Sequence, residues 1–161
     1  MKKILFAASE SVPFIKTGGL ADVVGSLPKW FDKKEYDVRV IIPKYMCIDE
    51  KWKSKMQYVD HFYMDLCWRR QYVGILQMEL DGVTYYFIDN EYYFSGPKPY
   101  GDVRYDLEKF AFFSRAVLSA LPVIGFRPDI IHCHDWHTGL IPVYLKDSFA
   151  YSEFYQGIKS I

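Results

Sequence analysis

The chain of 161 residues is half apolar and one quarter charged (50% and 25%), which gives it one sizeable core and argues against disorder over most of its length. Lys plus Arg is 20 and Asp plus Glu is 20, so the net charge is zero, and neither nucleic acid nor an anionic membrane is expected as the main partner. Aromatic residues reach 19%, a content that suits stacking on sugars and equally suits a tightly packed core.

The chain opens Met1-Lys2-Lys3, and the apolar run behind it, Ile4 to Ala8, gives way to Ser9 and Glu10. A signal peptide needs an apolar run of about 7–15 residues and a membrane span about 18 or more, so no targeting or spanning segment is expected. Lys3–Ala8 instead predicts a buried parallel strand. Ser9–Gly19 is a loop, with Pro13 and the Gly18-Gly19 pair. Leu20, Val23, Val24 and Leu27 recur at helical spacing and predict a helix over 20–31, kinked or ended by Pro28. Asp37–Ile42, closed by Pro43, is a second strand, and the whole makes a right-handed βαβ unit.

Tyr58–Leu80 is rich in β-formers. Asp81-Gly82 predicts a hairpin between Ile75–Leu80 and Val83–Ile88, so at least one pair here is antiparallel. The lysines at 51, 53 and 55 predict a solvated face. Ser95–Gly101 is a loop by composition, and Tyr92, Tyr93 and Phe94 anchor it to the core or form an aromatic wall with Tyr100. Apolar residues from Leu107 to Leu121 predict a helix that stops before Pro122. Asp129–Cys133 is another short strand, and His137–Leu145 a helix that tolerates Pro142 near its start. Gly157–Ile161 leads into a further strand, as in a fragment of a longer protein. The cysteines at 47, 67 and 133 are odd in number and widely spaced, which predicts no disulfide and a reducing, cytosolic compartment. With no repeat or linker, the elements predict one α/β domain: a Rossmann-like, mostly parallel sheet flanked by helices, with a β-hairpin insertion.

Two strings carry chemistry. Lys16-Thr17-Gly18-Gly19 lies between a strand and a helix start, where glycines admit a ligand to the backbone and free amides favour an anion. This suits a phosphate or diphosphate, and a turn that merely joins strand to helix is the plain alternative. It is neither GxxxxGK[ST] nor GxGxxG. His132-Cys133-His134-Asp135-Trp136-His137 falls at the carboxyl end of a predicted strand, the edge where open α/β sheets bind ligands. Asp135 suits hydrogen bonds from sugar hydroxyls and Trp136 suits stacking on a sugar ring. The plain alternative is a helix entry capped by Asp135. The spacing matches no zinc template, and no metal is expected.

Taken together, Ser9-Glu10, Pro13, Lys16-Thr17-Gly18-Gly19-Leu20-Ala21-Asp22-Val23, Pro99-Tyr100-Gly101 and His134-Asp135-Trp136-His137-Thr138-Gly139-Leu140 resemble the N-terminal part of bacterial glycogen synthases and plant starch synthases, from Lys3 to Ile161. The resemblance implies a two-domain GT-B fold, of which residues 1–161 are the N-terminal, acceptor-side Rossmann-like domain, itself truncated at its C-terminal end. It implies retaining transfer of glucose from ADP-glucose to the non-reducing 4-hydroxyl of an α-1,4-glucan, with no cofactor and no metal. It implies that Lys16, Gly18 and Gly19 meet the donor phosphates, and that Tyr100, Asp135, Trp136 and His137 line the sugar or acceptor side. The family's C-terminal, nucleotide-binding domain is not in this sequence, so the chain alone is expected to be inactive and to need that domain as partner. The cytoplasm is the expected location, or the plastid for a plant protein, although no transit peptide is seen. The alternatives are a stand-alone glucan-binding module and another GT-B transferase, such as a sucrose-forming enzyme.

Overall fold

The computed structural model describes residues 1–161. Strand β1, Lys2–Ala7, is the short apolar run, and Leu5, Phe6 and Ala7 are fully buried because both faces of the sheet are covered. Helix α1, Gly19–Ser26, follows and passes into a 3-10 turn at Leu27–Trp30. Pro28 sits in that turn, so it ends the α-helix as expected. Strand β2, Tyr36–Pro43, lies parallel to β1, with Phe6 beside Val40. A one-turn helix, α2 (Glu50–Lys53), comes next, capped by Asp49, which accepts from the Lys51 amide at 2.9 Å. Lys53 does not belong to a solvated face. Its ammonium donates to the Met46 carbonyl at 3.0 Å and its side chain is only 23% exposed.

Strands β3 (Gln57–Leu66) and β4 (Arg69–Leu80) are antiparallel, and β4 pairs antiparallel with β5 (Val83–Asp89). Asp81 and Gly82 both have positive φ, 53° and 71°, the conformation of the two-residue turn that Asp-Gly favours. The short helix α3, Glu91–Phe94, is capped by Asn90. It anchors the next loop: Tyr93 stacks on Phe112 at 4.6 Å, while Tyr92 remains half exposed.

Helix α4 spans Val103–Val123, four residues earlier than its apolar pattern begins and past the expected stop. It starts early because Asp102 caps it, accepting from the Arg104 amide at 3.0 Å. It passes Pro122 because the carbonyl that proline leaves unbonded, Leu118 O, accepts instead from the Tyr155 hydroxyl at 2.9 Å. It ends at Gly125, φ +62°, where Phe126 N bonds Leu121 O and Gly125 N bonds Pro122 O. Strand β6, Ile130–Cys133, then pairs parallel with β1. The expected helix over 137–145 divides into a 3-10 turn, Trp136–Thr138, and α5, Leu140–Lys146. Pro142 falls in the first turn of α5, where an amide would have no helical partner anyway. Strand β7, Lys159–Ser160, closes the sheet.

The seven strands run in the order β3-β4-β5-β2-β1-β6-β7. Phe31, just beyond α1, packs edge-on against Phe6, whereas Phe126, just beyond α4, lies 4.2 Å from the Arg39 guanidinium. Arg39 is the neighbour of Val40, the register partner of Phe6, so these contacts are on opposite faces and the helices cover both. From β1 the chain winds to one side through β2 and β5, then crosses over to β6 on the other side. The strand order therefore reverses between β1 and β6, and a crevice opens beyond their carboxyl ends.

Candidate active site

Both chemical strings issue from that switch point: the 8–18 loop leaves β1 and the 134–139 segment leaves β6. Ser9, Glu10 and Ser11 are buried at the root of the first loop. Glu10 braces its far end, since Oε2 accepts from the Thr17 amide at 2.7 Å and from the Thr17 hydroxyl at 2.6 Å. The loop lies against α1, with Val12 N bonded to Ala21 O at 3.0 Å. Lys16 stands at the surface, half exposed, paired with Asp22 one turn into α1 at 2.7 Å. Gly18 precedes the helix in extended backbone and offers no side-chain cap, which leaves the first amides of α1 without one. A Cβ at Gly18 would lie 3.9 Å from Glu10 Oε1, and one at Gly19 would meet nothing within 4 Å. Neither glycine is required by the protein's own packing.

The second string makes a sharper turn. Asp135 has φ +63° and ψ 175°, a conformation that only glycine adopts cheaply and that costs of the order of 1–3 kcal/mol elsewhere. Neighbouring bonds hold it there. His134 N bonds Ala7 O at 3.0 Å, and the Thr138 hydroxyl reaches the carbonyls of His134 and Asp135 at 3.0 and 3.2 Å. The Asp135 carboxylate accepts from the Trp136 amide at 2.6 Å and remains exposed. Asp135 thus does cap the turn, and it still faces solvent.

Trp136, His137 and Tyr100 form one stack. The Trp136 and His137 rings are 4.2 Å apart and 29° from parallel, and those of His137 and Tyr100 4.7 Å and 23°. Trp136 is half exposed, while His137 is buried between its neighbours. The Tyr100 hydroxyl shares a 2.6 Å hydrogen bond with Ser9 Oγ, which ties the 95–101 loop to the root of the β1 loop. Burial pushes the Tyr100 phenol up to about 12, so it is neutral at physiological pH. Of the residues expected at the site, Lys16 and Gly18 lie on the first loop, Gly19 opens α1, and Tyr100, Asp135, Trp136 and His137 lie on the two other segments that meet at this edge. The sequence reading missed the contribution of Ser9 and Glu10, and also a buried Asp106–Lys109 pair beneath the 95–101 loop. Two charges three apart inside the apolar stripe of α4 were the available signal. A cavity of about 540 Å³ lined by Arg39, Trp52 and Glu79, among others, lies away from the site and holds none of its residues.

His132, His134 and His137 cluster here, and burial lowers the pKa of each. His134 is pushed down to about 4, by burial first and then by His132, whose ring is 4.1 Å away. The native state thus holds His134 neutral, and the unfolded chain takes up the proton first as pH falls below about 6.5. Stability should be level between about pH 7 and 8 and fall between about 6.5 and 4, with His134 alone accounting for something on the order of 3 kcal/mol. Urea midpoints measured against pH check this. The fall should be shallower in His134→Gln, and parallel curves for the two proteins would contradict it.

A family model described as the starch synthase catalytic domain matches residues 3–161. The glycogen synthase of Lachnospira eligens is 69% identical over the whole chain, and that of Lachnoclostridium phytofermentans 67%; the match covers 34% of each of those proteins. The chain therefore spans about a third of the length of the curated relatives it matches. Among solved structures, the catalytic domain of starch synthase IV from Arabidopsis thaliana, bound to ADP and acarbose, superposes with a TM-score of 0.76 at 30% identity, over 98% of this chain and 31% of that one. The fold, the two strings at its switch point and these matches agree: the chain belongs to the starch synthase catalytic domain family.

Proposed function

We infer that the chain belongs to the N-terminal, acceptor-side domain of a two-domain GT-B glucosyltransferase and makes up about a third of that enzyme. The whole enzyme transfers glucose from ADP-glucose to the non-reducing 4-hydroxyl of an α-1,4-glucan, with retention at the anomeric carbon. The observation that carries this reading is the meeting of an anion-ready loop with a sugar-stacking aromatic set, joined by the Ser9–Tyr100 hydrogen bond. The relative bound to ADP and acarbose supports the two ligand classes, a nucleoside diphosphate and a carbohydrate.

In this reading the diphosphate seats at the start of α1, over Gly18 and Gly19. As the bond to glucose breaks, the leaving phosphate gains negative charge, and the Lys16 ammonium with the free amides of α1 stabilises it. Asp22 holds Lys16 in place at rest. On the other side Trp136 offers its half-exposed face to a sugar ring and Asp135 accepts from sugar hydroxyls. Tyr100 and neutral His137 form the wall behind them. No metal is needed, because the positive charge is supplied by side chains and amides. The C-terminal domain of the same polypeptide supplies the remaining nucleotide contacts, so the 161 residues alone do not turn over. The enzyme works in the cytoplasm and binds neither nucleic acid nor membrane.

Titrating the isolated chain with maltoheptaose, followed by NMR, tests the acceptor side. The Trp136 indole N–H and the Tyr100 resonances should shift, and Trp136→Ala should weaken binding about fivefold or more, as expected for loss of a stacked ring worth about 1–3 kcal/mol. Resonances unmoved at saturating sugar would overturn the acceptor reading. The same chain should release no ADP from ADP-glucose in the presence of glycogen. Release that depends on Lys16 would overturn the need for a second domain.

A further inference from the structure

The 95–101 segment, Ser-Gly-Pro-Lys-Pro-Tyr-Gly, brings Tyr100 to the site without regular structure of its own. Two charged side chains on the buried side of α4 reach it from below. Asp106 and Lys109 are 3% and 4% exposed, and their charges meet at 2.6 Å. The Lys109 ammonium also donates to the Pro99 carbonyl at 2.6 Å, and the Gly101 amide donates to Asp106 Oδ2 at 2.8 Å. One ion pair therefore grips the backbone just before Tyr100 and just after it. The tyrosine side chain is fixed separately, by Ser9 at its hydroxyl and by His137 across its ring.

Helix packing alone does not call for this arrangement. A buried ion pair commonly stabilises no more than an apolar pair of the same volume. An apolar pair, however, binds no backbone. Lysine carries only donors and an ionised aspartate only acceptors, and the loop presents one free carbonyl and one free amide to match them. We propose that Asp106 and Lys109 are positioning residues for acceptor binding: they hold the Tyr100 backbone so that its ring waits in place beside His137 before sugar arrives. Ordering the loop in advance removes a cost that binding would otherwise bear. The proposal rests on the acceptor reading of Tyr100 given above.

The test uses a chimera in which this chain replaces the matching third of the Lachnospira eligens glycogen synthase. The double substitution Asp106→Leu/Lys109→Met keeps the volume and removes the grip. It should raise KM for maltoheptaose about tenfold, as misplacement of a substrate-positioning group does, and leave KM for ADP-glucose within about twofold. Hydrogen exchange across residues 95–101 should quicken while the melting temperature holds. In a Tyr100→Ala background the same double substitution should add nothing to the acceptor KM. Asp106→Asn, milder and nearly isosteric, should show the same split between acceptor and donor KM to a smaller degree.

Native acceptor KM and native exchange in the double variant would overturn the proposal. So would an equal rise in KM with Tyr100 already removed, because the pair would then act by another route. If Tyr100→Ala by itself leaves the acceptor KM unchanged, the acceptor reading falls, and the positioning role falls with it even where exchange reveals the grip.

Discussion

Lys16→Met in the chimera is expected to lower kcat by roughly 10²–10³-fold, the effect of removing one group that stabilises charge developing in a transition state. The expectation follows from where Lys16 stands. Its resting partner, Asp22, is one half-exposed carboxylate, and a pair of that kind is worth at most about 1 kcal/mol. A leaving diphosphate carries more charge than Asp22 and gains it as the bond breaks, so the lysine's gain from switching partners is largest in the transition state. KM for ADP-glucose should rise far less than kcat falls, and the melting temperature should stay within a degree or two. Lys16→Arg should retain part of the rate, since the charge remains while its geometry changes. Steady-state kinetics on the three proteins give the answer. A kcat within threefold of native in Lys16→Met would remove the lysine from the chemistry.

Two glycines six residues apart, Gly19 and Gly25, should respond in opposite ways to the same added methyl. At Gly25 a Cβ would stand 2.4 Å from the Val12 carbonyl oxygen and 2.4 Å from Val12 Cγ2. Backbone cannot swing aside as a flexible side chain does, so the β1 loop must shift off α1. Gly25→Ala should cost about 3 kcal/mol, at the upper end for overpacking, and should impair donor binding as well because the loop it displaces carries Lys16. At Gly19 a Cβ would meet nothing within 4 Å, and the position is the first of α1. Alanine is favoured over glycine in a helix by up to about 1 kcal/mol, so Gly19→Ala should leave stability equal or higher. The methyl would instead occupy the place assigned to the diphosphate, and KM for ADP-glucose should rise tenfold or more, of the order of the 1–3 kcal/mol that a forced contact costs. Thermal melts and donor KM values for both variants check the contrast. Loss of stability in Gly19→Ala, or a native donor KM there, would mean that this glycine serves the fold and not a ligand.

The sequence made the strands legible wherever a period or a turn signal was strong. The run from Lys3 and the Asp-Gly hairpin both formed where expected, because burial on both faces and paired positive φ values each leave a plain mark in composition. Helix ends were less legible. Pro122 is a stop by local rules, and it was overridden by a hydroxyl 33 residues further along the chain, which no window around the helix contains. The early start of α4 turned on Asp102, a cap that apolar spacing does not register. At the site, the glycine loop and the His-Asp-Trp-His string were readable as residue types at one sheet edge. Their juncture was not, since Ser9 and Tyr100 are far apart in sequence and meet only because α4 holds the 95–101 loop against His137, beside the root of the β1 loop. The strain at Asp135 was equally hidden, because one of the bonds that hold it, from His134 N to Ala7 O, joins segments far apart in the chain.

Glucose transfer by the unmodified chimera is the most direct measurement of what this chain contributes. Supplied with labelled ADP-glucose and maltoheptaose, the chimera should lengthen the oligosaccharide at its non-reducing end through new α-1,4 bonds, releasing one ADP for each glucose added. A folded chimera that binds ADP-glucose yet transfers no glucose to maltoheptaose or glycogen would contradict the assignment of this chain to the acceptor-side domain of a glucan synthase.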